Sequence, residues 1–266
     1  MTCEACRTIP PVVSEDYTPK GTFSNIAGLK FNTYVTGPSN AKTALLTIYD
    51  IFGMSSQTTQ GADLLAARLN ALVLIPDFFI GDGAKPEWFP TDTDEKKAAL
   101  GAFFTQKAAF GENVKVLLES VQAYKGGFPS VEKWGAYGLC WGGKVLALSS
   151  GPETPFVATA QVHPGRMERA DAEPIAIPHA ILASKDEPAE EVKAYAEIIE
   201  RKAVGGFVET YETMWHGWMG ARANLQQESS LKEYTRGMMG ANAYLRRRYT
   251  QLADFFDKYF AQVGGK

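Results

Sequence analysis

The chain has 266 residues, a formal net charge of -3, 45% hydrophobic residues and three cysteines. This balance leaves no basic footprint for nucleic acid or an anionic membrane, and no apolar run reaches the roughly 18 residues of a bilayer span. Three cysteines cannot build a disulfide framework and no secretory leader is visible, so the sequence reads as a globular cytoplasmic protein with a sizeable core.

Residues 1–20 read as a tail. It carries Cys3 and Cys6 in a single CxxC, without a second pair to complete a zinc site or the strand-to-helix setting of a redox motif. Phe23 to Val35, with a turn at Gly28, predicts early antiparallel strands. Ala44 to Tyr49 is a continuous apolar run, as expected of a strand buried on both faces, and it ends at Asp50-Ile51-Phe52-Gly53. A helix over Gln60 to Leu69 and a strand over Ala71 to Pro76 follow. Asp77 to Thr93 holds Phe78, Phe79, Trp88 and Phe89, a long aromatic loop expected to act as a binding wall or lid. Two helices are expected over Asp94 to Phe110 and Glu112 to Tyr124, broken near Gly111.

A strand from Lys133 to Leu139 then runs into Gly138-Leu139-Cys140-Trp141-Gly142-Gly143, and Lys144 to Leu148 opens an apolar helix. A reactive residue on a tight strand-to-helix turn needs small residues two before and two after it, because side chains there would collide. Gly138 and Gly142 meet that need around Cys140, and the helix N-terminus beyond it favours thiolate. Further strands are predicted at Val157 to Val162, Pro178 to Ser184 and Phe207 to Tyr211, ending near His163, Asp186 and His216 respectively. A helix lies between the last two, over Glu190 to Ala203. Ser229 to Gln262 reads as largely helical, with Tyr244, Tyr249, Phe255, Phe256, Tyr259 and Phe260 covering the sheet.

Strands alternating with helices predict a mostly parallel twisted sheet with helices on both faces, and no repeat or linker divides the chain, so residues 1–266 are expected to form one α/β domain. Ligands of such sheets bind beyond the strands' carboxyl ends. The order Cys140, Asp186, His216 is the nucleophile–acid–histidine order of α/β-hydrolases. In this reading His216 is the base and Asp186 orients its imidazole, with Glu187 and Glu190 as neighbours able to substitute. Cys140 attacks an acyl carbon, and the backbone N–H groups of Ile51 and Trp141 receive the oxyanion. His163 also ends a strand, but it precedes every acid candidate and reads as a pocket residue. His179 lies inside a strand and reads as structural.

The stretches Asp50-Ile51-Phe52-Gly53, Ile75-Pro76-Asp77, Gly138 to Gly143, Asp186 and His216-Gly217-Trp218 resemble the dienelactone hydrolase family, in particular its fungal members, over roughly residues 20 to 262. The resemblance implies the α/β-hydrolase fold and cleavage of an ester or lactone through an acyl-thioester, without metal or organic cofactor. It implies a small-molecule substrate, no nucleic-acid or membrane partner, and a monomer or homodimer. Bacterial members carry Glu at the position of Asp50, where the carboxylate tunes the thiol. They also hold the substrate carboxylate with an arginine four residues after the histidine, where this chain has Gly220. Arg222 and Arg166 are the candidates for an anion, and a polyketide-derived lactone or ester of secondary metabolism is the expected substrate rather than dienelactone. Phe78, Phe79, Trp88, Trp141 and Trp218 are expected to wall an aromatic pocket. An isomerase or cyclase using the same thiol and base, and a ligand-binding protein on a hydrolase scaffold, remain as alternatives.

Overall fold

The computed structural model describes residues 8–12, 17–239 and 252–262. Its strands are β1 (Thr22–Asn25), β2 (Asn32–Thr36), β3 (Thr43–Ile48), β4 (Leu72–Pro76), β5 (Lys133–Leu139), β6 (Ala158–Val162), β7 (His179–Ser184) and β8 (Gly206–Tyr211). Its helices are α1 (Ser56–Leu69), α2 (Asp94–Gln106), α3 (Phe110–Gly127), α4 (Trp141–Leu148), the single turn α5 (Arg169–Ala172), α6 (Ala189–Lys202), α7 (Glu228–Met239) and α8 (Leu252–Ala261). The eight strands form one sheet in the order β1-β2-β4-β3-β5-β6-β7-β8. β1–β2 and β2–β4 pair antiparallel, and every other pair is parallel.

The apolar runs read from the sequence are the buried centre of this sheet. β4 and β7 are buried at every position, and β3 and β5 at every position but the first, as required of parallel strands covered on both sides. Successive residues of a strand face opposite ways. Trp134 stacks on Tyr124 of α3, with ring centroids 6.5 Å apart, whereas a side chain on Gly135 would run into Phe256 of α8. α3 and α8 therefore cover opposite faces. α4 packs with α3 and carries α5 beside it, and α1 and α7 pack with α8.

The break between α2 and α3 lies at residues 107–109 rather than near Gly111, which is inside α3. Asn113 causes this, because its Nδ2 donates to the carbonyls of Lys107 and Ala109 and satisfies the chain as it turns. The expected loop over residues 77–93 is present, with one 3-10 turn at Pro86–Trp88. The segment read as a plain tail is tied down where it is described. The Val12 N–H donates to the Ala221 carbonyl, Arg222 Nε donates to the Ile9 carbonyl, and Gln57 Nε2 donates to the Val12 carbonyl. Cys3, Cys6, Tyr244 and Tyr249 lie outside the described residues. Among those described, no helix is long and apolar enough to cross a membrane.

Candidate active site

The parallel strands deliver five ionisable or nucleophilic side chains to one edge. Asp50 follows β3, Cys140 follows β5, His163 follows β6, Glu187 lies just past β7 and His216 just past β8.

Cys140 sits at φ 50, ψ -108, between β5 and α4. A non-glycine residue is rarely held there, and such strain gathers at functional sites. The flanking glycines are needed as the sequence suggested. A Cβ on Gly138 would strike the backbone of Gly142, and one on Gly142 would strike the Ile48 carbonyl. The Cys140 N–H donates to the Val162 carbonyl, and the Cys140 carbonyl accepts from the N–H groups of Gly143 and Gly165 at 3.1 and 3.0 Å. The turn after β6 is thereby fastened to the elbow, and Cys140 Sγ lies 3.1 Å from where a Cβ on Gly165 would be. A second anchor comes from the largely buried Lys144, whose ammonium donates to the Arg166 carbonyl at 2.9 Å and pairs with Asp171 at 3.0 Å.

The structure corrects the partner expected for the histidine. His216 Nδ1 lies 2.6 Å from Glu187 Oε1, with both side chains about 1% exposed. Asp186 is half-buried and instead accepts from the backbone N–H of His216 at 2.8 Å. The turn decides between them. The N–H and Oγ of Ser184 both bond the Glu187 carboxylate, so the glutamate folds back under the strand end while Asp186 points across to the next loop. With Nδ1 donating to Glu187, Nε2 is the basic nitrogen of the neutral ring.

Asp50 is fully buried and accepts from the N–H groups of Phe52 and Ala221, at 3.0 and 2.8 Å. Burial pushes its carboxyl pKa up, and those two donors together with Arg222 oppose the rise. A Cβ on Gly220 would fall against Asp50 Oδ2 and 3.5 Å from His163 Nε2. The absence of a side chain at 220 thus lets the carboxylate and the second imidazole approach the same point. His163 meets His216 edge to face, with ring centroids 5.2 Å apart. Burial first, then charge on His216 and Arg222, holds its ring well below the usual imidazole range. His179 is structural as expected, bonded at both ring nitrogens to Thr159 and Gln161.

A small apolar pocket opens beside the thiol, lined by Ile51, Leu100, Phe104, Phe110, Cys140, Trp141, Gly165 and Arg166. Its free volume of about 20 Å³ holds about one water. Cys140, Ile51 and Trp141 share this wall as the sequence suggested. The other proposed wall residues do not reach it. Phe78 contacts Trp141 with centroids 6.2 Å apart, Trp88 packs on Phe103, and Trp218 is buried against Tyr211. Asp50, His163 and Arg222 are likewise outside the lining, and Arg222 lies under Phe52 and Phe89. Asp50, His163, Trp218 and Arg222 are buried in the core, whereas Phe78 and Trp88 are half-buried and pack against it. Leu100, Phe104, Phe110 and Gly165 went unrecognised in the sequence, the first two because α2 is mostly exposed and its apolar stripe is weak. Arg166, at φ 53, stacks over the Phe104 ring at 4.0 Å in the pocket wall.

The dienelactone hydrolase family model matches residues 31–259. Two uncharacterized AIM2 family proteins of Schizosaccharomyces pombe are 35% identical over 217 residues and 33% identical over 238 residues. The alignments cover 80% and 88% of this chain and 85% and 93% of theirs. The crystal structure of a dienelactone hydrolase from Anabaena variabilis superposes with a TM-score of 0.55 at 12% identity, covering 82% of this chain and 96% of that one. That likeness speaks for the fold, and the family match for the kind of enzyme. The chain belongs to the dienelactone hydrolase family and is, with it, a hydrolase of ester or lactone bonds on the α/β-hydrolase fold.

Proposed function

We propose that this hydrolase uses a Cys140–His216–Glu187 triad and passes through an acyl-thioester on Cys140. The observation that carries the reading is the buried 2.6 Å contact between Glu187 and His216, on the same sheet edge as a strained cysteine elbow. His216 Nε2 takes the thiol proton as Cys140 Sγ attacks the acyl carbon, and Glu187 stabilises the imidazolium. The N–H groups of Ile51 and Trp141 receive the oxyanion. As the first residue of α4, Trp141 has an N–H without an intrahelical acceptor. Collapse breaks the C–O bond, and the alkoxide leaves with the proton from His216. Water then attacks the thioester, gives a proton to His216, and the acid departs as Cys140 regains that proton.

Turnover of a short-chain nitrophenyl ester, combined with thiol alkylation and peptide mapping, tests this. Loss of turnover on alkylation of Cys140, and in Cys140→Ala, is the expected result. An unchanged rate in folded Cys140→Ala overturns the nucleophile. A product of the same mass as the substrate, without added water, assigns the thiol to isomerisation instead.

A further inference from the structure

His163 is an unusual buried residue. The fold shows how it treats a structural imidazole: His179 is equally buried, and its ring nitrogens bond Thr159 at 2.8 Å and Gln161 at 2.9 Å. His163 is fully buried too, yet neither of its ring nitrogens has a hydrogen-bond partner among the described residues. Leaving such groups unsatisfied is unfavourable. The backbone adds further strain, because His163 sits at φ 37. That conformation is enforced from both sides, by the His163 N–H donating to the Leu182 carbonyl at 2.7 Å and by Gly165 bonding the Cys140 carbonyl.

The ring's location limits what it can bind. It is not part of the apolar pocket wall of Ile51, Leu100, Phe104 and Phe110. It stands edge to face with His216, with Nε2 toward Gly220 and Asp50. An uncharged imidazole there offers one donor and one acceptor to something small and polar beside the base. In the proposed cycle the small polar reactant is water, and it enters only in the second half-reaction.

We propose that His163 holds the water that hydrolyses the Cys140 thioester, an inference that rests on the thioester reading above. The water gives one hydrogen bond to the acceptor nitrogen of His163 and its other proton to His216 Nε2. The O–H bond to His216 breaks as the new C–O bond forms. The C–S bond then breaks, and Sγ recovers the proton from His216. His163 transfers no proton. It aims the oxygen lone pair at the carbonyl carbon and is needed for deacylation but not for acylation.

The test is pre-steady-state hydrolysis of p-nitrophenyl acetate, with intact-mass measurement of the quenched protein. In His163→Phe the nitrophenol burst keeps the wild-type rate, steady-state turnover falls about 100-fold, and acetyl-Cys140 accumulates. His163→Asn keeps a donor and an acceptor and tolerates positive φ, so its steady-state rate lies between the two. Hydroxylamine needs no placement by His163 and restores turnover of the Phe variant. Equal loss of burst and steady-state rates, or no loss in either, overturns the proposal. If circular dichroism shows His163→Phe to be unfolded, the burst-to-steady-state ratio of His163→Asn decides by the same criterion. Wild-type protein that forms no adduct on Cys140 defeats the thioester reading itself. An adduct whose breakdown is indifferent to residue 163 defeats only this assignment.

Discussion

Glu187 bonds the ring of His216, at 2.6 Å from Nδ1, whereas the adjacent Asp186 reaches His216 only at its backbone N–H. Neutralising the two carboxylates should therefore have different consequences. Glu187→Gln leaves the ring without its charge partner and able to adopt the wrong tautomer, so kcat should fall by about 10³ to 10⁴ with the fold retained. Asp186→Asn keeps a carbonyl acceptor for the His216 N–H and should lower kcat less than tenfold, with a stability loss of about 1 kcal/mol. Steady-state kinetics and thermal melts of the pair check this. A larger kinetic loss in Asp186→Asn would return the role to Asp186.

Gly220 is a spatial requirement of the Asp50 carboxylate. Its own φ is not in the left-handed region, so the penalty for Gly220→Ala comes only from the collision of the new methyl with Asp50 Oδ2. About 1–3 kcal/mol of stability should be lost, together with activity, as Asp50 is pushed off the Ala221 N–H. Asp50→Ser removes the colliding oxygen, and in a double-mutant cycle the two substitutions should couple strongly. Additive losses in urea unfolding would show that the methyl is accommodated elsewhere.

Phe104 and Arg166 close the pocket, and the remaining volume of about 20 Å³ cannot take an acyl chain. Only Phe103 of α2 is buried, so this helix is the element best able to move aside. Phe104→Ala should raise kcat/KM for nitrophenyl butyrate relative to acetate by about tenfold, the worth of one or two added methylenes in an apolar pocket. An unchanged chain-length preference would place the acyl group elsewhere.

His179 gives the fold a defined acid sensitivity. Burial lowers its pKa to about 3, whereas in the unfolded chain the ring titrates near 6.5. Between those values the unfolded state binds a proton that the folded state refuses. Stability is therefore complete above about pH 6.5 and is lost as pH falls toward 3, at about 1.4 kcal/mol per pH unit for this residue. His179→Gln keeps polar partners for Thr159 and Gln161 and should reduce the slope of unfolding free energy against pH by that amount. Equal slopes in the two proteins, measured by urea unfolding from pH 7 to 5, would contradict it.

The elbow was legible because its requirements are local. Strand, tight turn and helix follow one another within sixteen residues, and Gly138 is forced by collision with the backbone of Gly142 four positions on, although Gly142 itself is held against the distant Ile48 carbonyl. The parallel sheet was legible for the same reason, since β3 and β4 announce themselves as unbroken apolar runs. The choice between Asp186 and Glu187 was not. The two carboxylates are neighbours in sequence, and what separates them is the turn that puts Glu187 on the N–H and hydroxyl of Ser184. The pocket wall was misread for a related reason. Aromatic residues on either side of Trp141 look alike in sequence, but Phe78 and Phe79 pack on that indole within the core while Phe104 faces the opening.

Residues 9–12 lie more than 200 positions from the loop they hold, yet they grip it directly: Ile9 and Val12 bond Arg222 and Ala221, and Ala221 in turn donates to Asp50. The clasp ties residues 9–12 to the loop that holds Asp50. The enzyme's working edge is in this sense completed by residues synthesised before any strand of the sheet exists.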